Sequence, residues 1–183
     1  MTDTDHVVLL DDDGNAIGTA PKSTVHGADT ALHLAFSCHV LNREGQVLVT
    51  RRALGKRTWP GVWTNSFCGH PRPAEPVAAA VRRHADTELN ITLADLELAL
   101  PLFRYRATDS AGIVEHEVCP VYTAYTDDEP RLNPLEAIEA RWVDPDDLAT
   151  ALAATPWAFS PWLVLQAEHL HLFDRAAPRR WAS

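Results

Sequence analysis

The stretch from Trp59 to Pro71 reads WPGVWTNSFCGHP, and it places a cysteine and a histidine two residues apart between glycines and prolines. A thiol and an imidazole that only filled a core would lie in an apolar, periodic segment, and this segment is neither. Cys68 and His70 therefore indicate a site at which a thiol lies beside a candidate metal ligand. The prolines and glycines predict a shaped loop over 58–73.

The overall composition limits the class of protein. The chain has 183 residues, a net charge of −9 and three scattered cysteines. The negative charge disfavours a nucleic-acid partner, because phosphate backbones need a basic surface, but it leaves room for a small anionic ligand. No apolar run approaches the roughly 20 residues that cross a bilayer, and the odd cysteine count predicts no disulfide framework. We therefore expect a cytoplasmic protein with one domain over 1–183 and no nucleic-acid or membrane partner.

Periodicity and turn signals predict mixed strands and helices in an α/β arrangement. Strands are predicted over 6–10, 33–41 and 46–52, in FRYRA paired with GIVEHEVCPVYTAY, and in EARWVD. Apolar and other residues alternate over 33–41, which predicts a strand with one apolar face. Helices are predicted over 75–89, with Asn90 in the left-handed position that ends a helix, and over 160–173, with Ser160 as cap. The tail after Pro178 is expected to be frayed.

Two glutamates share one face of a predicted strand. In IVEHEV, Glu115 and Glu117 point the same way because side chains alternate along a strand. Adjacent carboxylates repel each other unless they are solvated, protonated or joined by a cation. A solvated edge strand is one interpretation. The other is a metal site with His26, His33 and His70, because imidazole and carboxylate together favour Mn, Zn or Fe.

The remaining chemistry-bearing residues each have two interpretations. Cys68 has a glycine after it and polar neighbours, so it is either a reactive thiol or an inert one. Trp162 is either a core residue or an indole face for a cation. A group of basic residues forms either a solvated surface or a binding site for a diphosphate. Its members are Lys22, Arg51, Arg52, Lys56 and Arg57. The residues interpreted as structural or exposed are Cys38, Cys119, His39, His84, His116, His169 and His171.

Several of these segments together resemble a known family. WPGVWTNSFCGHP, HLAFS, FRYRA, GIVEHEVCPV and TPWAFSPW are similar to motifs of type 1 isopentenyl-diphosphate isomerases, which belong to the Nudix superfamily. The resemblance runs from about His6 to Gln166. It implies a Nudix-type α/β/α sandwich with a mixed β-sheet and a Nudix core over 31–165. It also implies an enzyme that converts isopentenyl diphosphate to dimethylallyl diphosphate through a tertiary carbocation, and we expect this chain to be a monomer.

The Nudix signature is present but altered. Four of its residues fall at the family spacing: Gly69, Glu75, Arg83 and Glu88. His84 and Thr87 stand where Nudix hydrolases usually carry glutamates that hold magnesium, and Asn90 stands at the usual glycine. This favours the isomerase branch over a Nudix pyrophosphatase. A non-catalytic module that binds metal or diphosphate is a third alternative.

The resemblance also implies a role for each matching residue. The ligands of a tightly bound Mn or Zn would be His26, His33, His70, Glu115 and Glu117. Proton transfer would fall to Cys68 and Glu117, aided by Tyr105, with the choice of donor left open. Glu88 and the backbone carbonyl of Cys68 would hold a Mg²⁺ that arrives with the substrate. The diphosphate would be bound by Lys22, Arg52, Lys56 and Arg83, and Trp162 would face the carbon skeleton.

Overall fold

A computed structural model of the chain describes residues 5–173. Its strands are β1 His6–Leu10, β2 Ala16–Pro21, β3 His33–Leu34, β4 Phe36–Leu41, β5 Val47–Arg52, β6 Trp63–Thr64, β7 Phe67–Gly69, β8 Ala94–Leu100, β9 Arg104–Thr108, β10 Val114–Val118, β11 Val121–Tyr125 and β12 Ala137–Val143. Its α-helices are α1 Lys22–Val25, α2 Val77–His84, α3 Pro145–Ala154 and α4 Pro161–Ala167. A π-helical turn, Ala85–Leu89, extends α2, and two 3-10 turns lie at Pro156–Ala158 and His171–Phe173. The tail after Pro178, predicted to be frayed, lies outside the described residues.

The strands form two mixed sheets. The smaller sheet has the order β2-β1-β3-β10-β9, and the larger has the order β12-β5-β4-β11-β8, with β6 paired to β5 and β7 paired to β4. Two pairs are parallel, β3 with β10 and β4 with β11. Ala35 N donates to Val118 O at 2.9 Å, and Ser37 N donates to Pro120 O at 3.1 Å. These bonds join the two long segments 33–41 and 114–125, which run side by side through both sheets.

The prediction of a single strand over 33–41 with one apolar face is wrong. The strand divides at Ala35, and every residue of β4 is buried. Phe36 and Val40 pack in a core cluster with α2, whereas His39 on the other face contacts Gln166 of α4. A strand covered by helices on both faces reads as a continuous apolar run rather than as an alternation. The segment 112–125 likewise divides, after Val118, into β10 and β11.

Helices cover both faces of the larger sheet and complete the predicted α/β/α sandwich. One cluster joins Val81 of α2 to the sheet, and a second joins Leu148 of α3 and Leu163 of α4 to it. The helix predicted over 75–89 is present from Val77, and Asn90 ends it with φ 53° and ψ 44°, the left-handed conformation. None of the helices in the described part of the chain is long and apolar enough to span a membrane.

Two further predictions about local structure are wrong. The helix predicted over 160–173 ends at Ala167, and Ser160 lies at its N-terminus with its hydroxyl bonded to the Thr64 hydroxyl at 2.8 Å instead of capping the helix. The loop predicted over 58–73 contains β6 and β7. Because β7 pairs with β4, Cys68 lies in a strand directly opposite Ser37. The thiol is therefore held by a sheet and not by a free loop.

Candidate active site

A cavity of about 650 Å³ collects most of the predicted site residues. All of them line it except His33 and Arg83. His33 is fully buried behind the wall, where β3 lies beside β10 and pairs His33 with Glu117 in register. Arg83 instead donates two hydrogen bonds to the Glu75 carboxylate, at 2.8 and 2.6 Å. Segments that are far apart in the sequence therefore meet at one opening.

Three histidines and Glu117 form a compact cluster. His26, His33, His70 and Glu117 each offer a ligand atom, and these atoms lie within 4.8 Å of one another. Glu117 Oε1 is 3.1 Å from His70 Nε2 and 3.5 Å from His33 Nε2. The imidazole rings are 5.1 to 5.7 Å apart between centroids. Imidazole nitrogens and a carboxylate at these separations are a ligand set for a transition-metal ion.

Glu115 lies beside this cluster on the same face of β10. Its Oε2 atom is 2.9 Å from His26 Nε2, and its Oε1 atom accepts a hydrogen bond of 2.6 Å from the Thr58 hydroxyl. The alternation of β10 puts both glutamates on one face, as predicted, and that face lines the cavity. Both are buried, so the interpretation as a solvated edge strand is wrong. Thr58 was not among the predicted site residues, because a single threonine in a loop carries no distinctive signal.

The unpartnered atoms of the cluster fit a bound cation. Within residues 5–173, His26 Nε2, His33 Nε2 and Glu115 Oε2 are buried and make no well-aligned hydrogen bond, although His26 Nε2 lies 2.9 Å from Glu115 Oε2. Buried polar atoms are rarely left unsatisfied, so imidazole and carboxylate atoms in close contact without aligned hydrogen bonds fit a cation held between them. His33 Nδ1 lies 2.9 Å from Ala31 O, which fixes the proton on Nδ1 and leaves the Nε2 lone pair directed at the cluster. The cluster could therefore hold a metal ion.

The electrostatics of Glu117 and His70 are those of metal ligands, whereas His33 differs. Burial would lower the pKa of the His33 imidazole, but its contact with Glu117 raises it. Burial alone would raise the pKa of the Glu117 carboxyl, but its contacts with the imidazoles of His33 and His70 outweigh this effect and hold that pKa well below its usual range. Burial lowers the pKa of the His70 imidazole to about 4. An ionised carboxylate and a neutral imidazole are the forms that bind metals.

Cys68 lies between the polar cluster and an apolar wall. Its side chain packs against a small core group that contains Tyr105, Cys119 and Trp162. Burial raises the pKa of the Cys68 thiol to about 12, so the sulfur keeps its proton at neutral pH. Cys38 and Cys119 are buried in the core, as predicted.

Aromatic rings form the apolar wall of the cavity. The Trp162 indole is in edge contact with Trp59, with 5.5 Å between ring centroids, and it lies 5.9 Å from the Tyr105 ring. The Arg52 guanidinium lies over one face of the Trp162 ring, 5.1 Å from its centroid. Trp162 Nε1 donates to Asn65 Oδ1 at 3.0 Å, which fixes the plane of the indole.

Cationic side chains also line the cavity. Lys22 Nζ is 3.7 Å from Asp5 Oδ2, and Lys56 is ion-paired with Glu136, which also lines the cavity. Arg52 donates to the backbone oxygens of Thr58 and Trp59 at 2.8 to 3.2 Å. The cavity therefore combines cationic side chains that could bind an anion, a group of histidines and glutamates, and aromatic rings.

Proteins of known name are similar to this chain over nearly its whole length. Isopentenyl-diphosphate Delta-isomerase from Agromyces mediolanus is 69% identical over 174 residues, which are 95% of this chain and 84% of that protein. The proteins of the same name from Clavibacter sepedonicus and Frankia alni are 62% and 59% identical, over 95% and 94% of this chain and 96% and 88% of theirs. The chain belongs to the isopentenyl-diphosphate Delta-isomerase family. The NUDIX domain also matches residues 31–163.

The fold of this isopentenyl-diphosphate Delta-isomerase family member is also found in solved structures. DR0079 from Deinococcus radiodurans superposes with a TM-score of 0.63 at 21% identity, over 82% of this chain and 90% of that one. The MutT protein from Methanosarcina mazei gives a TM-score of 0.59 at 20% identity, over 79% and 91%. At these identities the likeness concerns the fold alone.

His84 stands directly after Arg83, at a position of the signature where Nudix hydrolases usually carry a glutamate. His84 is buried, and its Nδ1 atom is 2.5 Å from Glu88 Oε1. Its ring packs on Gly69, where an added Cβ would meet ring atoms at 2.5 to 2.7 Å. Only glycine fits there, and the imidazole holds the Glu88 carboxylate beside the strand that carries Cys68.

Proposed function

We propose that this chain is an isopentenyl-diphosphate Delta-isomerase, which converts isopentenyl diphosphate to dimethylallyl diphosphate. One observation carries the proposal: Cys68 from β7 and Glu117 from β10 line the same cavity, together with aromatic and cationic side chains. The names of the relatives support the same substrate.

The reaction moves a double bond from C3–C4 to C2–C3 of a five-carbon diphosphate. The alkene is protonated at C4, which gives a tertiary carbocation, and a proton is then lost from C2. Two groups must therefore reach the substrate, one to give a proton and one to take it. Cys68 and Glu117 are these groups, and the Tyr105 hydroxyl, which donates to Glu117 Oε2 at 2.9 Å, assists the carboxylate.

The carbocation needs an environment without nucleophilic water. The rings of Tyr105 and Trp162 line this part of the cavity with apolar surface, and Trp59 packs against the Trp162 indole. Because Arg52 covers one face of the Trp162 ring, the carbon skeleton lies against another part of the indole. Negative π density that is not nucleophilic stabilises a nearby cation by about 2 kcal/mol in a desolvated site.

The diphosphate anchors the substrate by its non-reacting end. Lys22, Arg52 and Lys56 supply positive charge, and Arg83 contributes once it is released from Glu75. Lys56 exchanges its ion pair with Glu136 for a phosphate oxygen. Glu88 and the Cys68 carbonyl would hold a Mg²⁺ carried by the diphosphate. Binding energy at this end aligns the reacting carbons with the proton-transfer groups.

A tightly bound Mn or Zn would be held by His26, His33, His70, Glu115 and Glu117. Such an ion would supply positive charge that orients the two carboxylates and tunes the acidity of Glu117. We further propose that the protein works in the cytoplasm as a monomer, on this small substrate and without a nucleic-acid or membrane partner.

The alternative is a Nudix pyrophosphatase, which shares the fold. His84 and Thr87 argue against it, because neither supplies the carboxylate with which hydrolases hold magnesium. A single incubation of the purified protein with isopentenyl diphosphate and Mg²⁺ separates the two. Proton NMR is expected to show the methyl signals of dimethylallyl diphosphate without released phosphate or diphosphate. Release of phosphate without the isomer would overturn the proposal and favour the hydrolase.

A further inference from the structure

A chain of buried hydrogen bonds leads from the cavity wall into the core behind Cys68. Ser37 Oγ lies 3.2 Å from Cys68 Sγ, and Gln166 Nε2 donates to Ser37 Oγ at 2.8 Å. On its other side, Gln166 Oε1 lies 2.9 Å from His39 Nε2. Ser37, His39 and Gln166 are each 0% exposed, so none of them can touch a substrate.

The hydrogen-bonding capacity of each group fixes the direction of the chain. The oxygen of Gln166 can only accept, so His39 carries its proton on Nε2, and the amide nitrogen of Gln166 then donates to Ser37. Ser37 has one proton to give, and two sulfur atoms lie within reach, Cys68 Sγ at 3.2 Å and Cys119 Sγ at 3.4 Å. The donors of the chain therefore all point towards the thiols.

A second group holds the same sulfur from another side. Asn65 Oδ1 accepts from Cys68 Sγ at 3.2 Å. The Asn65 amide nitrogen donates to Cys38 O at 3.0 Å and to Phe67 O at 2.8 Å, which fixes the orientation of the amide. The Cys68 sulfur is therefore held between two polar groups that are themselves immobilised by buried partners.

One helix supports both of these groups. Trp162 and Gln166 are four residues apart on α4 and so lie on the same face of the helix. Trp162 Nε1 donates to Asn65 Oδ1 at 3.0 Å, and Gln166 donates to Ser37. The indole of the aromatic wall and the thiol beside it are thus positioned by the same face of α4.

We propose that Ser37 and Gln166 are positioning residues, which hold the Cys68 sulfur in the side-chain rotamer that faces the cavity. Gln166 acts through the Ser37 hydroxyl, and His39 fixes the Gln166 amide. The inference rests on the proposed function, in which Cys68 transfers a proton to or from a substrate carbon. A displacement of about 1 Å at such a group lowers the rate by about a hundredfold.

The test uses two substitutions in the full-length protein and their combination. Ser37→Ala removes the hydroxyl, and Gln166→Met keeps the length of the side chain without its amide. Each is expected to lower kcat at least about tenfold while KM changes less than about twofold, since the diphosphate end is untouched. The double variant is expected to be no slower than Ser37→Ala, because residues that act through one another are not additive.

Ser66→Ala is the matched control. The Ser66 hydroxyl is also buried, donates to Leu48 O at 2.7 Å and accepts from Val40 N at 2.8 Å, but it belongs to the core between β4 and β5. Ser66→Ala is expected to lower the melting temperature and to keep kcat. Crystal structures of the variants test the positioning role without an activity measurement. In Ser37→Ala, the Cys68 side chain is expected to occupy more than one rotamer.

The outcomes separate this inference from the proposed function. Wild-type kcat in Ser37→Ala, additive losses in the double variant, or an equal loss of kcat in Ser66→Ala would each overturn the positioning role. If the wild-type protein does not isomerise the substrate, the proposed function fails. The rotamers of Cys68 in the variant crystals then still decide whether Ser37 positions the sulfur, and one unchanged rotamer overturns the inference.

Discussion

The Tyr105 hydroxyl donates a hydrogen bond of 2.9 Å to Glu117 Oε2 from the directly opposed position of the neighbouring strand. The other oxygen of the carboxylate, Oε1, faces His33 and His70. The register of β9 against β10 therefore places one oxygen of Glu117 against the Tyr105 phenol and leaves the other facing the histidines of the cluster. Both side chains are buried, so loss of the Tyr105 hydroxyl would leave Glu117 Oε2 without this hydrogen bond in a site that is shielded from bulk water.

Tyr105→Phe is expected to lower kcat about tenfold. The substitution keeps the ring of the aromatic wall and removes only the hydrogen bond to the carboxylate, which amounts to about 1.4 kcal/mol. Initial rates of dimethylallyl diphosphate formation by NMR measure the effect. Tyr122→Phe is the control, because Tyr122 is a buried tyrosine of the larger sheet, away from the cavity. Equal rates for Tyr105→Phe and the wild-type protein would contradict the role of the hydroxyl.

His33→Gln is expected to lose the tightly bound metal. The substitution removes an imidazole nitrogen from the cluster, and removal of a ligand weakens metal binding by at least about tenfold. Elemental analysis after exhaustive dialysis measures the metal content per chain. His39→Gln is the control, since His39 is equally buried but bonds to Gln166 outside the cluster. Full metal content in His33→Gln, or an equal loss in both variants, would exclude the cluster as the metal site.

Trp162→Ala is expected to lower kcat by about thirtyfold, and Trp162→Phe by less. The alanine variant loses all of the π density that stabilises the carbocation, about 2 kcal/mol, whereas phenylalanine keeps an aromatic face. The same NMR assay measures both variants at matched fractions of folded protein. Trp157, which is 81% exposed, provides the control, and Trp157→Ala is expected to keep kcat. Equal losses in the two Trp162 variants would contradict a role of the aromatic face in stabilising the carbocation.

Glu75→Gln is expected to lower stability at neutral pH and not at very low pH. The hydrogen bonds from the Arg83 guanidinium lower the pKa of the Glu75 carboxyl to about 2, against about 4.3 in an unfolded chain. A carboxyl with a lowered pKa contributes stability above its unfolded pKa, and this contribution disappears as the pH falls from about 4.3 through about 2.

Urea unfolding at pH 7 and at pH 2 tests this pH dependence. The free energy of unfolding is expected to fall by about 1–2 kcal/mol in Glu75→Gln at pH 7, with the difference vanishing near pH 2. Glu44→Gln, at an exposed turn position, is the control and is expected to change little at either pH. An equal difference between Glu75→Gln and wild type at both pH values would contradict the ion pair with Arg83.

The ends of helices and strands were predictable from the sequence where they depend on the backbone preference of a nearby residue. The turn at Asn90 and the start of α4 at Pro161 follow from backbone preferences of single residues. The division of 33–41 at Ala35 was not predictable, because the chain passes there from the smaller sheet to the larger one. Helix α3 was not predicted, although it has a local signal: the Asp144 side chain accepts from Asp146 N at 2.9 Å, ahead of Pro145 at the first helical position.

Residue types and spacing alone did not predict which residues form the site, and the family resemblance was needed to bring them together. The alternation of β10 predicted that Glu115 and Glu117 share a face, but spacing alone did not bring the histidines to them. The neighbours that orient the site, Ser37, Thr58 and Asn65, are polar residues of ordinary type. Their role depends on which strands are adjacent, and strand order is a property of the whole chain.

The assay of Cys68→Ala with isopentenyl diphosphate and Mg²⁺ tests the proton transfer across the cavity most directly. Loss of one proton-transfer group is expected to lower kcat at least about a hundredfold, with metal content and secondary structure retained. Cys38→Ala, which removes a core thiol away from the cavity, is expected to turn over at nearly the wild-type rate per folded molecule. A Cys68→Ala variant that forms dimethylallyl diphosphate at nearly the wild-type rate would contradict the account.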